Sequence, residues 1–278
     1  MDKCPFFSIV IANYNSGLYI EQAIQSILSQ SCDDFELIIV DGGSSDNSVD
    51  VIQKYNSKIS WWVSERDKGQ SDAFNKGFAH ATGRYLTWLN ADDLLLPGVL
   101  EKVKRFVEKR QSADWIAINT SYIDKNNIVL SCGTCTDFSN LILRHANVED
   151  VGPSSFFTQE LFAKCGPFDI NNHYTMDADL WQRFVNEGYR YLRVPGWGWA
   201  FRLHEMSKTG VGILGKKSEG QITDEKRMYE RNNFKLWYSF VLYQKLKKIF
   251  TCYFKRRRLD AKYKGKSIEE LKEIGVFN

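Results

Sequence analysis

No run of apolar residues in this chain approaches the roughly 18 that a membrane-spanning helix needs. Cysteine is present without a framework: Cys4, Cys32, Cys132, Cys135, Cys165 and Cys252 are scattered, which excludes a disulfide scaffold and suits free thiols in a reducing compartment. Cys132-Gly133-Thr134-Cys135 lacks a second ligand pair at ribbon spacing and reads as a loop rather than a zinc or redox site. A net charge of +3 is too small to argue for nucleic acid. Internal repeats and low-complexity linkers are missing, and Met1-Asp2-Lys3-Cys4-Pro5 does not open a secretory signal, so the expected location is inside the cell. What remains, with 43% hydrophobic and 26% charged residues in a chain of 278, is an ordinary globular composition with room for one sizeable core.

The first hundred residues alternate in period. Phe7 to Ala12 is a β-branched run ending in the turn cluster Asn13 to Gly17; a helix is expected from Leu18 to Gln30, with Ile20, Ala23, Ile24, Ile27 and Leu28 on one face. Strands at Phe35 to Val40, Ile59 to Val63 and Tyr85 to Leu89 then alternate with helices at Val49 to Tyr55, Ser71 to His80 and Pro97 to Lys109. Such alternation implies an α/β fold whose central sheet is mostly parallel, with helices on both faces and ligands held beyond the carboxyl ends of the strands. Beyond about residue 115 the pattern loosens. A strand at Trp115 to Asn119, an Asn-rich hairpin at Tyr122 to Leu130, a helix at Leu180 to Asn186, a strand at Tyr189 to Val194 and a turn at Pro195 to Gly198 are expected. The reading is a catalytic domain over 1–220, divided near 115 into donor and acceptor halves, followed by a helical, basic and aromatic extension over 221–278.

Two strand ends carry chemistry. Tyr85 to Asn90 delivers an amide and then Asp92 and Asp93, the carboxylates with which a hard divalent cation such as Mg2+ or Mn2+ is held against a diphosphate. The plainer alternative is that these acids only cap the helix near Pro97. Asp41 leaves the second strand where it can accept a hydrogen bond from a nucleotide base, Tyr14 can stack on that base, and Gly42-Gly43 allows close backbone approach. Here the alternative is a turn with Asp46 or Ser48 capping the next helix.

Four segments in order, Ser8 to Asn15, Ile38 to Asp46, Asp67 to Gly77 and Asn90-Ala91-Asp92, resemble the donor-binding half of the inverting family 2 glycosyltransferases, whose nucleotide-sugar fold is called GT-A. The resemblance implies a nucleotide-sugar site at Ala12, Tyr14, Asn15, Asp41, Gly69, Asp72 and Asn90. It implies a metal at Asp92 in place of the family's Asp-x-Asp motif. Asn90 departs from that motif by keeping an oxygen and losing a charge, so restoring Asp there is expected to leave metal binding unchanged or tighter. Tyr174 to Arg183 resembles the family's Glu-Asp segment, with Met176 for the glutamate; by that match Asp177 is the catalytic base and Asp179 a helix-start residue. Phe201 to Lys208 resembles a late Arg-x-His segment, which implies that His204 completes the metal shell or touches the diphosphate, while Arg202 or Lys208 offsets phosphate charge.

The resemblance also implies a UDP-sugar as donor and a glycan or polyprenyl-diphosphate-linked glycan as acceptor, in bacterial surface-polysaccharide synthesis at the inner face of the plasma membrane. Phe234 to Phe250 mixes aromatics with lysines, and Arg256-Arg257-Arg258 follows; peripheral membrane contact is expected, with a homodimer interface as the rival. Two other readings stay open. One is a nucleotidyltransferase; the other, favoured by Asn90 and Met176, is a non-catalytic binder of nucleotide sugars or glycans.

Overall fold

The computed structural model describes residues 4–110, 113–135, 154–205, 219–231 and 253–277. Its first half follows the expected alternation: β1 (Phe7–Asn13), α1 (Ile20–Leu28), β2 (Phe35–Asp41), α2 (Ser48–Lys54), β3 (Trp61–Ser64), α3 (Gln70–Ala79) and β4 (Tyr85–Asn90). There follow β5 (Leu94–Leu95), α4 (Val99–Glu108), β6 (Trp115–Ile123), β7 (Val129–Gly133), β8 (Ser155–Thr158), α5 (Gln159–Cys165), α6 (Met176–Asn186) and β9 (Leu192–Arg202). Three further helices are α7 (Glu219–Arg231), α8 (Tyr253–Tyr263) and α9 (Ile268–Glu273).

All the strands join one sheet in the order β3-β2-β1-β4-β8-β6-β9-β5, with β7 paired to β6. The first four pair in parallel, β6 pairs in parallel with β9, and the remaining pairings are antiparallel. Because β1 lies between β2 and β4, the chain runs outward on one side of β1 and returns on the other. The crevice at such a switch point is where open α/β sheets bind ligands. Register brings the site together: Ala12 is level with both Val40 and Asn90, and Asn13 with Asp41.

Alternate residues of the strands feed two cores. On one face Ile9 and Ile11 pack with Ile20, Ile24 and Ile27 of α1, Val51 and Ile52 of α2, and Val103 of α4. On the other, Val10, Trp88 and Trp115 pack with Phe74 of α3 and with Leu180, Trp181 and Phe184 of α6. The Trp181 ring stacks on Trp88 at 5.3 Å and on Trp115 at 5.1 Å between centroids. Truncating a buried aromatic of this kind typically costs about 3–5 kcal/mol, so the helix that starts at Met176 is firmly seated on the sheet. A third cluster joins Leu94, Val129 and Trp197 to Tyr263, Ile268, Leu271 and Phe277, so α8 and α9 pack against the sheet rather than standing apart.

The second half departs from expectation in two places. The expected strand from Tyr189 and the turn at Pro195 to Gly198 form one strand, β9, whose register against β6 slips on either side of Asn119. Pro195 and Gly196 are the two extra residues of the first slip; a proline has no N–H for the ladder, and Gly196 takes φ +107, a region favouring glycine. Strand β8 and helix α5 have no sequence expectation, since four buried residues between β4 and β6 are too short a run to signal. Cys132 and Cys135 pack into different clusters. No helix among the described residues is long and apolar enough to cross a membrane.

Candidate active site

The donor side is a pair of loops tied to one buried carboxylate. Asp41 is wholly buried, and its two oxygens accept from five donors. Asn13 Nδ2 and Ser44 Oγ donate to Oδ1 at 2.6 and 2.5 Å; Gly43 N, Ser44 N and Ser64 Oγ donate to Oδ2 at 3.2, 2.9 and 2.6 Å. Burial raises this carboxyl, but the hydrogen bonds from Ser44, Ser64 and Asn13 outweigh it and hold it below its ordinary value near 3.8. Asp41 therefore builds the loop and offers no open oxygen to a base. Asn15, at φ +48, does similar work: its side chain accepts from Ser45 N at 2.8 Å and its N–H donates to Ser44 Oγ at 2.8 Å. Tyr14 is left with its ring 65% exposed above these loops, free to stack.

Asp41→Asn is expected to destabilise the fold by on the order of 3 kcal/mol, because an amide would point a donor at donors. Since the folded carboxyl is depressed, its stabilisation is present above about pH 4 and lost as pH falls through the lower folded value. Denaturant melts at pH 7 and pH 3 check this: the gap between wild type and variant should shrink in acid.

At the end of β4 the polar groups divide into buried anchors and partly exposed groups. Asn90 Oδ1 accepts from Gln70 Nε2 at 2.6 Å, and its Nδ2 donates to Asp93 Oδ2 at 2.8 Å. Asp93 is buried, and Arg202 N donates to its Oδ1 at 2.8 Å. Burial, with the adjacent Asp92 charge, pushes this carboxyl well above the usual range. Arg202 is wholly buried; its guanidinium donates to Asp92 O at 2.7 Å, Asn127 Oδ1 at 2.6 Å and Gln22 Oε1 at 3.0 Å, over the Tyr19 ring. The expectation that Arg202 offsets phosphate charge is thus corrected: it locks β9 to the Asp92 loop. Lys208, the other residue expected to do so, lies outside the described residues.

What this scaffold leaves accessible is Asp92 and His204. His204 Nε2 and Asp92 Oδ2 are 2.9 Å apart, the side chains 13% and 23% exposed, and the Tyr19 ring lies 4.9 Å from the imidazole. Among the described residues no three His, Cys, Asp or Glu side chains cluster as a metal cage. A carboxylate and an imidazole 2.9 Å apart nonetheless fit a cation whose remaining ligands are diphosphate oxygens and water, the way Mg2+ is commonly bound at phosphate sites. Asn90, hydrogen-bonded at both ends of its amide, is not part of that set.

Gly69 precedes α3 at φ +109, a region favouring glycine, and a Cβ there would lie 3.2 Å from His173 Nδ1. Asp72 accepts from Lys68 N at 3.0 Å, which holds this turn. The next residues join the two halves. Ser71 Oγ donates to Asn172 O at 2.9 Å and contacts Met176 Sδ at 3.3 Å, so a buried thioether fills the position where the family's glutamate is expected. Asp177 follows in the first turn of α6, partly buried, its Oδ1 accepting from Ala178 N at 2.7 Å. Asp179 is buried and paired with Arg183 at 3.1 Å and Arg231 at 3.3 Å. Arg231 also pairs with Asp169, and Asp224 accepts from His173 N and Tyr174 N at 2.8 and 3.1 Å. Helix α7 thus clamps the loop that leads to Asp177. No sequence signal marked Tyr19, Asp224 or Arg231, whose partners lie far away along the chain.

Residues 8–158 match the family described as glycosyl transferase family 2. An uncharacterized glycosyltransferase of Nostoc sp. is 34% identical over 175 residues, covering 58% of this chain and 53% of that protein, so the chain spans about half that relative's length. Two solved structures share the fold. Residues 1–349 of S. aureus TarS in complex with UDP-GlcNAc superpose with a TM-score of 0.59 at 15% identity, covering 81% of this chain and 72% of the other. The mannosyltransferase PcManGT of Pyrobaculum calidifontis in complex with GDP-Man and Mn2+ gives 0.53 at 17% identity, covering 89% and 76%. The fold is the GT-A arrangement that the sequence motifs imply.

Proposed function

The chain belongs to glycosyl transferase family 2, and from that premise we propose that it moves a sugar from a nucleotide diphosphate donor to an acceptor hydroxyl, with inversion at the anomeric carbon. Asp92 and His204 would hold Mn2+ or Mg2+, which when bound neutralises the leaving diphosphate. Tyr14 stacks on the base, the backbone around Ala12 and Gly69 lines the nucleotide cleft, and Asp177 takes the proton of the attacking hydroxyl. The observation that supports this most is the position of α3: its consecutive residues Gln70 and Ser71 touch Asn90, beside Asp92, and Met176, beside Asp177. Metal ligand and base are thereby linked through one helical turn. Turnover of a nucleotide-sugar panel with Mn2+ or EDTA, read as released nucleoside diphosphate, tests the reading. No release from any donor would leave the non-catalytic binder that Asn90 and Met176 favour; the nucleotidyltransferase alternative falls with the family match.

A UDP-sugar is the donor we favour, supported by the UDP-GlcNAc complex of a protein of the same fold. The acceptor we propose is a glycan, free or carried on polyprenyl diphosphate, in bacterial surface-polysaccharide synthesis at the inner face of the plasma membrane. Arg257 and Arg258 are exposed on α8, and the aromatic stretch Phe234 to Phe250 lies outside the described residues. Replacing Arg256, Arg257 and Arg258 by Gln is expected to weaken sedimentation with anionic vesicles several-fold, and raised salt to do the same in wild type. Unchanged sedimentation would remove the basic anchor; a concentration-dependent dimer without vesicle binding would place the aromatics at a subunit interface instead.

A further inference from the structure

Two carboxylates stand at the carboxyl end of β2, and they are used in opposite ways. Asp41 is saturated by five donors, as described above. Asp67, from the loop between β3 and α3, is only partly buried; its Oδ1 accepts from Gly69 N at 2.8 Å, and its Oδ2 has no hydrogen-bond partner among the described residues. That oxygen lies against Gly42: a Cβ at position 42 would fall 2.7 Å from it. Gly42 in turn donates its N–H to Asn13 O at 2.9 Å, next to the exposed Tyr14. A glycine at 42 is therefore what admits the Asp67 carboxylate to the end of the strand. Burial raises the Asp67 carboxyl, and the charges of Asp72 and Asp41 add to that, as expected for an acceptor short of donors.

We propose that Asp67 Oδ2, not Asp41, accepts the ring N–H of the donor's base and selects a uracil-type pyrimidine. The proposal rests on the nucleotide-sugar reading of this cleft. Uracil presents one imide N–H, which matches one open oxygen. Cytosine presents a bare ring nitrogen there and would face the carboxylate lone pair to lone pair. Guanine presents two adjacent N–H donors that suit both oxygens of a carboxylate, and Gly69 already occupies one.

The test is calorimetric binding of UDP, CDP and GDP, each with Mn2+, to wild type, Asp67→Asn and Gly42→Ala. Wild type is expected to favour UDP over CDP by about 10- to 100-fold, the range for a hydrogen bond to a charged group. Asp67→Asn keeps the Oδ1 acceptor for Gly69 and so the loop, but turns the open acceptor into an amide donor that suits the bare ring nitrogen of cytosine and not the imide N–H of uracil, so the ratio should fall to one or below. Gly42→Ala keeps the carboxylate and displaces it, and should lower UDP affinity with an unchanged melting temperature in the absence of ligand. A wild-type UDP to CDP ratio in Asp67→Asn, or preference for GDP in wild type, would overturn the assignment. Binding of none of the three by wild type would overturn the donor reading itself, and this inference with it.

Discussion

Asp92→Ala is expected to abolish manganese-dependent donor binding and to lower transfer roughly a thousand-fold or more, the equivalent of the several kcal/mol that a metal contributes to diphosphate charge in the transition state. The fold should survive. The Asp92 carboxylate is partly exposed and its hydrogen-bond partner is His204, whereas the bond to Arg202 uses the Asp92 main-chain oxygen, which Ala retains. Loss of stability should stay within about 1 kcal/mol, the usual net worth of one hydrogen bond. Calorimetric titration of UDP with and without Mn2+, beside a thermal melt, separates the two effects. Wild-type turnover in the variant would end the metal assignment. Asn90→Asp, which the sequence motif suggests should leave metal binding unchanged or tighter, is now expected to cost stability as well. Its new carboxylate would replace the amide that donates to the buried Asp93, setting a partly buried acid against a buried one. The expected result is a lower melting temperature without tighter metal binding.

Asp177→Asn is expected to leave donor binding intact while transfer falls by roughly two to four orders of magnitude, the usual scale for loss of a general base. Size and hydrogen-bonding shape are conserved, and the helix that carries the residue is held by Trp181 between Trp88 and Trp115. The companion change Asp179→Asn should show the opposite profile. It removes the charge shared by Arg183 and Arg231 in a buried setting, so about 3 kcal/mol of stability should be lost with a smaller effect on the chemical step at temperatures where the variant is folded. Single-turnover transfer measured beside a denaturant melt distinguishes the two. If Asp179→Asn loses the chemistry and Asp177→Asn only the stability, the base is Asp179.

The legible part of the fold was the part made of local pattern. Strands β1, β2 and β4 and helix α1 stand within a few residues of their expected bounds because each is a contiguous period of apolar residues. Strand β8 escaped because its identity as a strand comes from its neighbours β4 and β6, not from its four residues. Strand β9 was misread at Pro195 and Gly196 because a bulge is defined only by the strand it slips against. In the site, the motifs marked loops that come together at the strand ends but not the use of each side chain. Asp41, Asn15, Asp72 and Asn90 hold those loops by hydrogen bonds; Tyr14, Asp92 and His204 are the members that face outward from them.

The sequence by itself determined that strands alternate with helices, that polar clusters close those strands, and which family the motifs resemble, since all of these reside in residues close along the chain. Only the tertiary structure decided which carboxylates are available for chemistry. Availability depends on burial and on whether each oxygen already has a donor, and those donors come from distant segments. Ser64 saturates Asp41, Arg202 anchors Asp93, and Arg231 claims Asp179, across separations of 23, 109 and 52 residues. Asp92 keeps an accessible oxygen beside His204 and Asp67 an open one beside Gly42, because, among the described residues, the packing that satisfied the other acids brought no further donor to them.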